Sequence, residues 1–142
     1  MFPVGDRDLG RFLHEMGEDT SVTRKIEKIW LRQWFSCLIS DLAYIHTKGV
    51  RHQDIKPSNI VHRGDLIFFT DFNSAAQCEP GCTTSTENPA RKSAMYSAPE
   101  VLDRLRDDHS LTRHGTGTDI FSLGCAFYRY ATCNRRSLCR LS

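Results

Sequence analysis

The sequence predicts a mainly α-helical domain with one small β-hairpin, and three observations predict it. From Arg24 to Thr47, the residues Ile26, Ile29, Trp30, Trp34, Cys37, Leu38, Leu42 and Ile45 keep a helical period over about six turns. Asp119 to Thr132 is apolar nearly all round, the pattern of a helix buried on every side. Between them, the short runs 59–62 and 66–70 flank Arg63-Gly64-Asp65, the spacing of a hairpin.

Along the chain, Leu9, Phe12, Leu13 and Met16 recur at i, i+3, i+4 and i+7 behind Gly5-Asp6. They predict a short amphipathic helix with an acidic cap. A polar loop leads into the long helix, and Lys48-Gly49 supplies its stop. The Arg-Gly-Asp triplet is read as the hairpin's turn rather than as an adhesion motif, because no export signal accompanies it. Residues 73–97 are rich in Ser, Thr, Gly, Pro and Asn and predict a long loop of the functional kind. Ala98 to Arg106 predicts a short helix. After the apolar helix, residues 134–142 carry three Arg and no apolar pattern, so they are set apart as an unrelated or disordered tail.

Composition bounds the function. A chain of 142 residues makes one compact domain and is too short for two ordinary ones. At 39% hydrophobic and 25% charged it excludes global disorder. A net charge of +2 excludes a dedicated nucleic-acid binder on electrostatic grounds. The most apolar stretch, Leu66 to Phe69, is far below membrane-spanning length. With no signal region at the N-terminus, the expectation is an intracellular protein without a membrane partner. Cys37, Cys78, Cys82, Cys125, Cys133 and Cys139 then read as free thiols. A zinc site started by Cys78 and Cys82 would need its second pair from scattered residues.

The informative chemistry lies in Val50 to Asn59 and at Asp71. If the strands pair about Gly64, Asn59 lies opposite residues 69–70, and the reversal returns Asp71 to the side of Asn59. Two oxygen ligands facing one space suit magnesium, which takes one or two carboxylates and fills its shell with phosphate oxygens and water. Asp54 and Lys56 are not expected to face each other by strand periodicity, but Pro57 and a tight turn bring both to the same mouth. Taken singly, these residues have bland readings as turn or core groups, Phe72 and Val61 among them.

Together they resemble the C-terminal lobe of a eukaryotic protein kinase of the serine/threonine type. The resemblance rests on H-x-D-x-K-P-x-N at His52 to Asn59 and Asp71-Phe72, followed by Tyr96-Ser97-Ala98-Pro99-Glu100 and Asp119 to Gly124. It implies a partial kinase domain over residues 1–133, comprising the hinge and the C-lobe through the apolar helix. The implied reaction transfers the γ-phosphoryl group of ATP to a protein hydroxyl, with ATP and Mg2+ as cofactors. Asp54 is implied as the residue that accepts the hydroxyl proton, Lys56 as partner of the transferred group, and Asn59 and Asp71 as metal ligands. The resemblance further implies that Ser93 ties the substrate-binding loop to Asp54, that His52 and Phe72 stack, that Asp119 anchors the catalytic loop and that Glu100 pairs with an Arg further along. Val4, Asp8, Leu9 and Val61 are implied around the nucleotide's base and ribose. Partners are then a protein substrate or a docking partner. A kinase-derived docking module and a small-molecule phosphotransferase share parts of the pattern; Lys56-Pro57 and Ala98-Pro99-Glu100 speak against the latter.

Three departures from the family pattern stand out. Gln53 occupies the usual Arg position, so phosphorylation of Thr83, Thr84, Ser85 or Thr86 has no guanidinium there to pair with. Asn73 replaces the usual Gly after Asp71-Phe72, and Asn is the non-glycine residue that best tolerates positive φ. No Gly-rich phosphate loop, strand Lys or partnering helix Glu occurs, so the expectation is a chain lacking the N-terminal lobe and the last helices.

Overall fold

The computed structural model describes residues 5–18, 23–77, 94–99 and 116–138. Readings that fall on Val4, Cys78, Cys82, residues 83–86, Ser93, Glu100 and nearly all of the 98–106 helix lie outside them. Strand β1 (Arg7–Asp8) leads into helix α1 (Leu9–Glu18) and then the long helix α2 (Thr23–Thr47). Strand β2 (Val50–Arg51), the hairpin β3 (Ile60–Arg63) and β4 (Leu66–Phe69), and strand β5 (Ala76–Gln77) follow, and helix α3 (Gly117–Leu138) comes last.

Residues 7–8 are committed to a strand, so α1 begins only at Leu9 and its cap is Asp8 rather than Asp6. Asp8 Oδ1 accepts the backbone N–H of Arg11 at 2.9 Å, satisfying one of the helix's orphan donors. Asp6 instead clasps the hairpin: its N–H donates to the His62 carbonyl at 2.7 Å and its carboxylate accepts the Gly64 N–H at 2.8 Å. The predicted stripe Leu9, Phe12, Leu13 and Met16 is buried throughout.

Helix α2 buries Leu31, Trp34, Leu38 and Leu42, one face at spacings of three and four. Ile29 and Cys37, counted in the apolar period, lie off that face and are exposed. The helix stops as expected. Lys48 donates to the Tyr44 carbonyl at 3.2 Å and Gly49 takes φ 71°, the left-handed residue that closes a helix C-terminus. Trp34 locks the layers together. Its ring lies 4.9 Å from Phe12 of α1 and 4.9 Å from His62 of β3, and its indole N–H donates to the Asp65 carbonyl at 2.5 Å.

The hairpin has the predicted register: Ile60 opposes Phe69, and Arg63 opposes Leu66. The two-residue connection is Gly64-Asp65, with Gly64 at φ 56°, as a hairpin turn with right-handed twist requires. The Arg-Gly-Asp triplet is therefore a turn. β1 adds a third antiparallel strand, pairing Arg7 with His62 and Asp8 with Val61. A second small sheet pairs Val50 with Gln77 and Arg51 with Ala76. Two-residue strands carry no periodic signal, and neither pairing was legible in the sequence.

Helix α3 corrects two expectations. Thr118, Asp119, Leu123 and Ala126 are buried, but Ile120 is 59% exposed and Tyr128 72%, so the helix buries one face rather than all round. It also runs to Leu138, well into the segment set apart as a tail. Arg135 and Arg136 are good helix formers by intrinsic propensity. Among the described residues no helix is long and apolar enough to cross a membrane.

Candidate active site

The loop after β2 is held from behind by the start of α3. Asp119, 1% exposed, accepts the backbone N–H of His52 through Oδ2 at 2.9 Å and that of Gln53 through Oδ1 at 2.8 Å. Gln53 sits at φ 64°, a left-handed conformation that costs a non-glycine residue about 1 to 3 kcal/mol and persists only where surroundings over-determine it. The paired bonds from one carboxylate supply that determination. His46, near the end of α2, donates from Nε2 to Asp119 Oδ2 at 3.0 Å, so three segments meet on one side chain.

His52 is fully buried, and its Nε2 lies 2.9 Å from the Thr70 carbonyl. A carbonyl only accepts, so Nε2 carries the proton and Nδ1 is the acceptor. Consistently, the Asp54 N–H points at Nδ1 at 3.4 Å. The imidazole thus links the loop to the end of β4. Its ring is 4.5 Å from Phe72 and 5.7 Å from Phe69, which brings together the pair expected to stack.

Asp54, Lys56 and Asn59 converge. Lys56 Nζ is 2.8 Å from Asp54 Oδ2, and Asn59 Nδ2 donates to the same oxygen at 2.9 Å and to the Asp54 carbonyl at 2.9 Å. Expectation and structure agree on the meeting but differ on its cause. Residues two apart in extended backbone lie on one side; Lys56 is extended at φ −155°, and Ile55 between them turns into the core. Alternation, rather than the turn at Pro57, pairs the charges. Pro57 then starts a single 3-10 turn through Asn59, its fixed φ suited to a first helical position. Both side-chain bonds engage Oδ2, so Oδ1 is the Asp54 oxygen bonded to neither Lys56 nor Asn59.

Asp71 reaches the site through Thr70, whose N–H donates to the Asn59 carbonyl at 2.9 Å. This extends the hairpin ladder by one step and sets Asp71 beside Asn59's end of β3, as the strand reversal predicts. Asp71 takes φ 59°, ψ 61°, and Asn73 Nδ2 donates to its Oδ1 at 2.6 Å. The expectation that positive φ falls at Asn73 is corrected. The left-handed residue is Asp71, and Asn73 lies inside the 3-10 turn Phe72–Ser74, so its amide, not its backbone tolerance, is what the structure uses.

Of the residues expected around a nucleotide base, Asp8 and Val61 are direct cross-strand partners. Leu9 is a core residue, 2% exposed. His46 and Thr70 escaped the sequence reading, because a histidine near a helix end and a threonine at a strand end carry no motif of their own. Ser122 and Arg129 escaped it too. The Ser122 hydroxyl donates to the Tyr96 carbonyl at 2.7 Å and Arg129 Nη1 donates to the Tyr96 hydroxyl at 2.8 Å, seating the 94–99 segment on α3.

A sequence model described as "Protein kinase domain" matches residues 8–138. The chain is 30% identical over 139 residues to the serine/threonine-protein kinase PKH3 of Saccharomyces cerevisiae, covering 87% of this chain and 14% of that protein. It is 32% identical over 117 residues to 3-phosphoinositide-dependent protein kinase 1 of Homo sapiens, covering 80% of this chain and 20% of that protein. It is 34% identical over 122 residues to the serine/threonine-protein kinase PDK1 of Cryptococcus neoformans, covering 80% of this chain and 9% of that protein. The chain therefore spans a fifth or less of the length of each of these three relatives.

Proposed function

Because the chain belongs to the protein kinase family, we propose that it carries the phosphotransfer half-site of an ATP- and magnesium-dependent protein serine/threonine kinase. The single observation that carries this reading is the Asp54, Lys56 and Asn59 cluster, a carboxylate fixed by an ammonium and an amide at the mouth of a buried loop. In this reading Asp54 accepts the proton of a substrate hydroxyl, for which a positioned carboxylate is worth about 100- to 10,000-fold. Lys56 holds Asp54 in place and offers positive charge to a transferred phosphoryl group.

The donor set fits magnesium. Asn59 spends its amide nitrogen on Asp54 and keeps its oxygen for a cation, and Asp71 adds an exposed carboxylate. Among the described residues no group of three His, Cys, Asp or Glu side chains could hold a metal. A site of one carboxylate and one amide oxygen, completed by phosphates and water, is what magnesium favours. The ion would supply charge neutralisation on the transferring phosphate. Val4, Asp8 and Val61 would border the base and ribose, with Leu9 supporting that edge from the core. Ser93, Glu100 and Asp119 complete the proposal as positioning groups around the substrate-binding and catalytic loops.

The test is transfer from labelled ATP with magnesium to a generic protein substrate. Transfer that falls at least about a hundredfold in Asp54→Asn, with the fold intact, supports the reading. Transfer indifferent to Asp54→Asn overturns it, and capture of a partner that survives Asp54→Asn without any transfer points to a docking module.

A further inference from the structure

Asn73 stands where the family has glycine, and its amide does something glycine cannot. We propose that Asn73 is a positioning residue that makes Asp71 a one-oxygen metal ligand and so sets the site's preference for magnesium over calcium; this rests on the reading of Asp71 as a magnesium ligand. Both side chains are exposed, so each would rotate freely if left alone. Instead the Asn73 amide donates to Asp71 Oδ1 at 2.6 Å, a short hydrogen bond to an ionised acceptor, which is the charge-assisted kind. The backbone reinforces the pose: Asp71 is left-handed, and the 3-10 turn that follows is closed by Ala75 N–H on the Phe72 carbonyl at 2.9 Å.

The consequence is chemical. With Oδ1 engaged, Oδ2 remains for a cation, and chelation through both oxygens requires breaking the amide bond. Magnesium demands near-ideal octahedral geometry and takes carboxylates readily through one oxygen, whereas calcium accepts six to eight ligands and often takes a carboxylate through both. A bond that taxes two-oxygen chelation discriminates against calcium. A typical net hydrogen bond is worth about a fivefold change in an equilibrium constant.

The test is electron paramagnetic resonance of Mn2+ bound to the full chain with ADP, displaced by MgCl2 or by CaCl2. The readout is the ratio of the two competition constants. Asn73→Gly and Asn73→Ala are expected to lower the magnesium-to-calcium ratio about fivefold. A role confined to loop stability would weaken both cations alike, so an unchanged ratio overturns the proposal. Asp71→Ala is the control for the underlying reading: Mn2+ binding that survives it, or no Mn2+ binding by the parent chain, removes Asp71 from the metal site and the inference with it. Loss of binding in Asp71→Ala together with an unchanged ratio in both Asn73 variants overturns the inference alone.

Discussion

The carboxylate of Asp119 accepts the backbone N–H of His52 at 2.9 Å across 67 positions of sequence. That bond joins the buried face of α3 to a loop that carries all the reactive side chains between residues 52 and 59, and Gln53 and His46 add to it.

Asp119→Ala leaves the His52 N–H buried without an acceptor, and burial of an unsatisfied group together with the loss of its neighbours' bonds costs about 3 kcal/mol or more. Asp119→Asn keeps one acceptor oxygen and is expected to lose roughly half as much. Urea denaturation of the two variants against the parent checks both the size and the order.

Gly64→Ala is expected to cost about 1 kcal/mol. A Cβ at Gly64 would meet nothing within 4 Å, so the cost comes from φ 56° alone. Gly64→Asn costs less, since asparagine tolerates the left-handed region. Equal stability of the Ala and Asn variants would contradict a backbone origin, and thermal midpoints decide it.

Hydrogen bonds from Arg11, then Arg7, hold the Glu15 carboxyl below its usual value of 4.5. A carboxyl whose folded value is depressed contributes stability above the unfolded value and loses it as pH falls through the folded one. The Glu15→Gln variant should therefore be less stable than the parent at pH 7, by a margin that shrinks at a pH well below the usual 4.5. Chemical denaturation at the two pH values tests the sign. The Arg7 bond also ties β1 to α1, which gives this exposed cluster a structural purpose.

Burial pushes the Cys125 thiol above its ordinary 9.0, and the thiolate is the reactive form. Exposed Cys37 should consume iodoacetamide well before Cys125 at pH 8, with the gap narrowing as pH rises. Peptide mapping by mass spectrometry follows each cysteine separately, and equal rates at pH 8 would contradict the burial.

Much of the fold was legible because its signals are local. The α2 period, the Gly49 stop and the Gly64 turn each depend on residues within a turn or two of one another, where helical spacing and positive φ set the outcome. The meeting of Asp54 and Lys56 is expected from a turn at Pro57, whereas alternation in extended backbone produces it and the 3-10 turn then carries Asn59 to the same carboxylate. What misled the reading was partner choice. Asp6 and Asp8 are equally good caps in sequence, and only the pairing of Arg7 and Asp8 with β3 decides that Asp8 caps α1.

By itself, then, the sequence determined the order of α1, α2, the hairpin and α3, the hairpin register and which side chains cluster in the 52–59 loop, because near-neighbour geometry is written in spacing. Tertiary structure alone decided that His46 joins Asp119 behind that loop, that α3 buries one face, and that Asn73 acts on Asp71 through its amide. Those outcomes depend on which distant donors and surfaces fold into reach, and the choice of a distant partner leaves no periodicity along the chain.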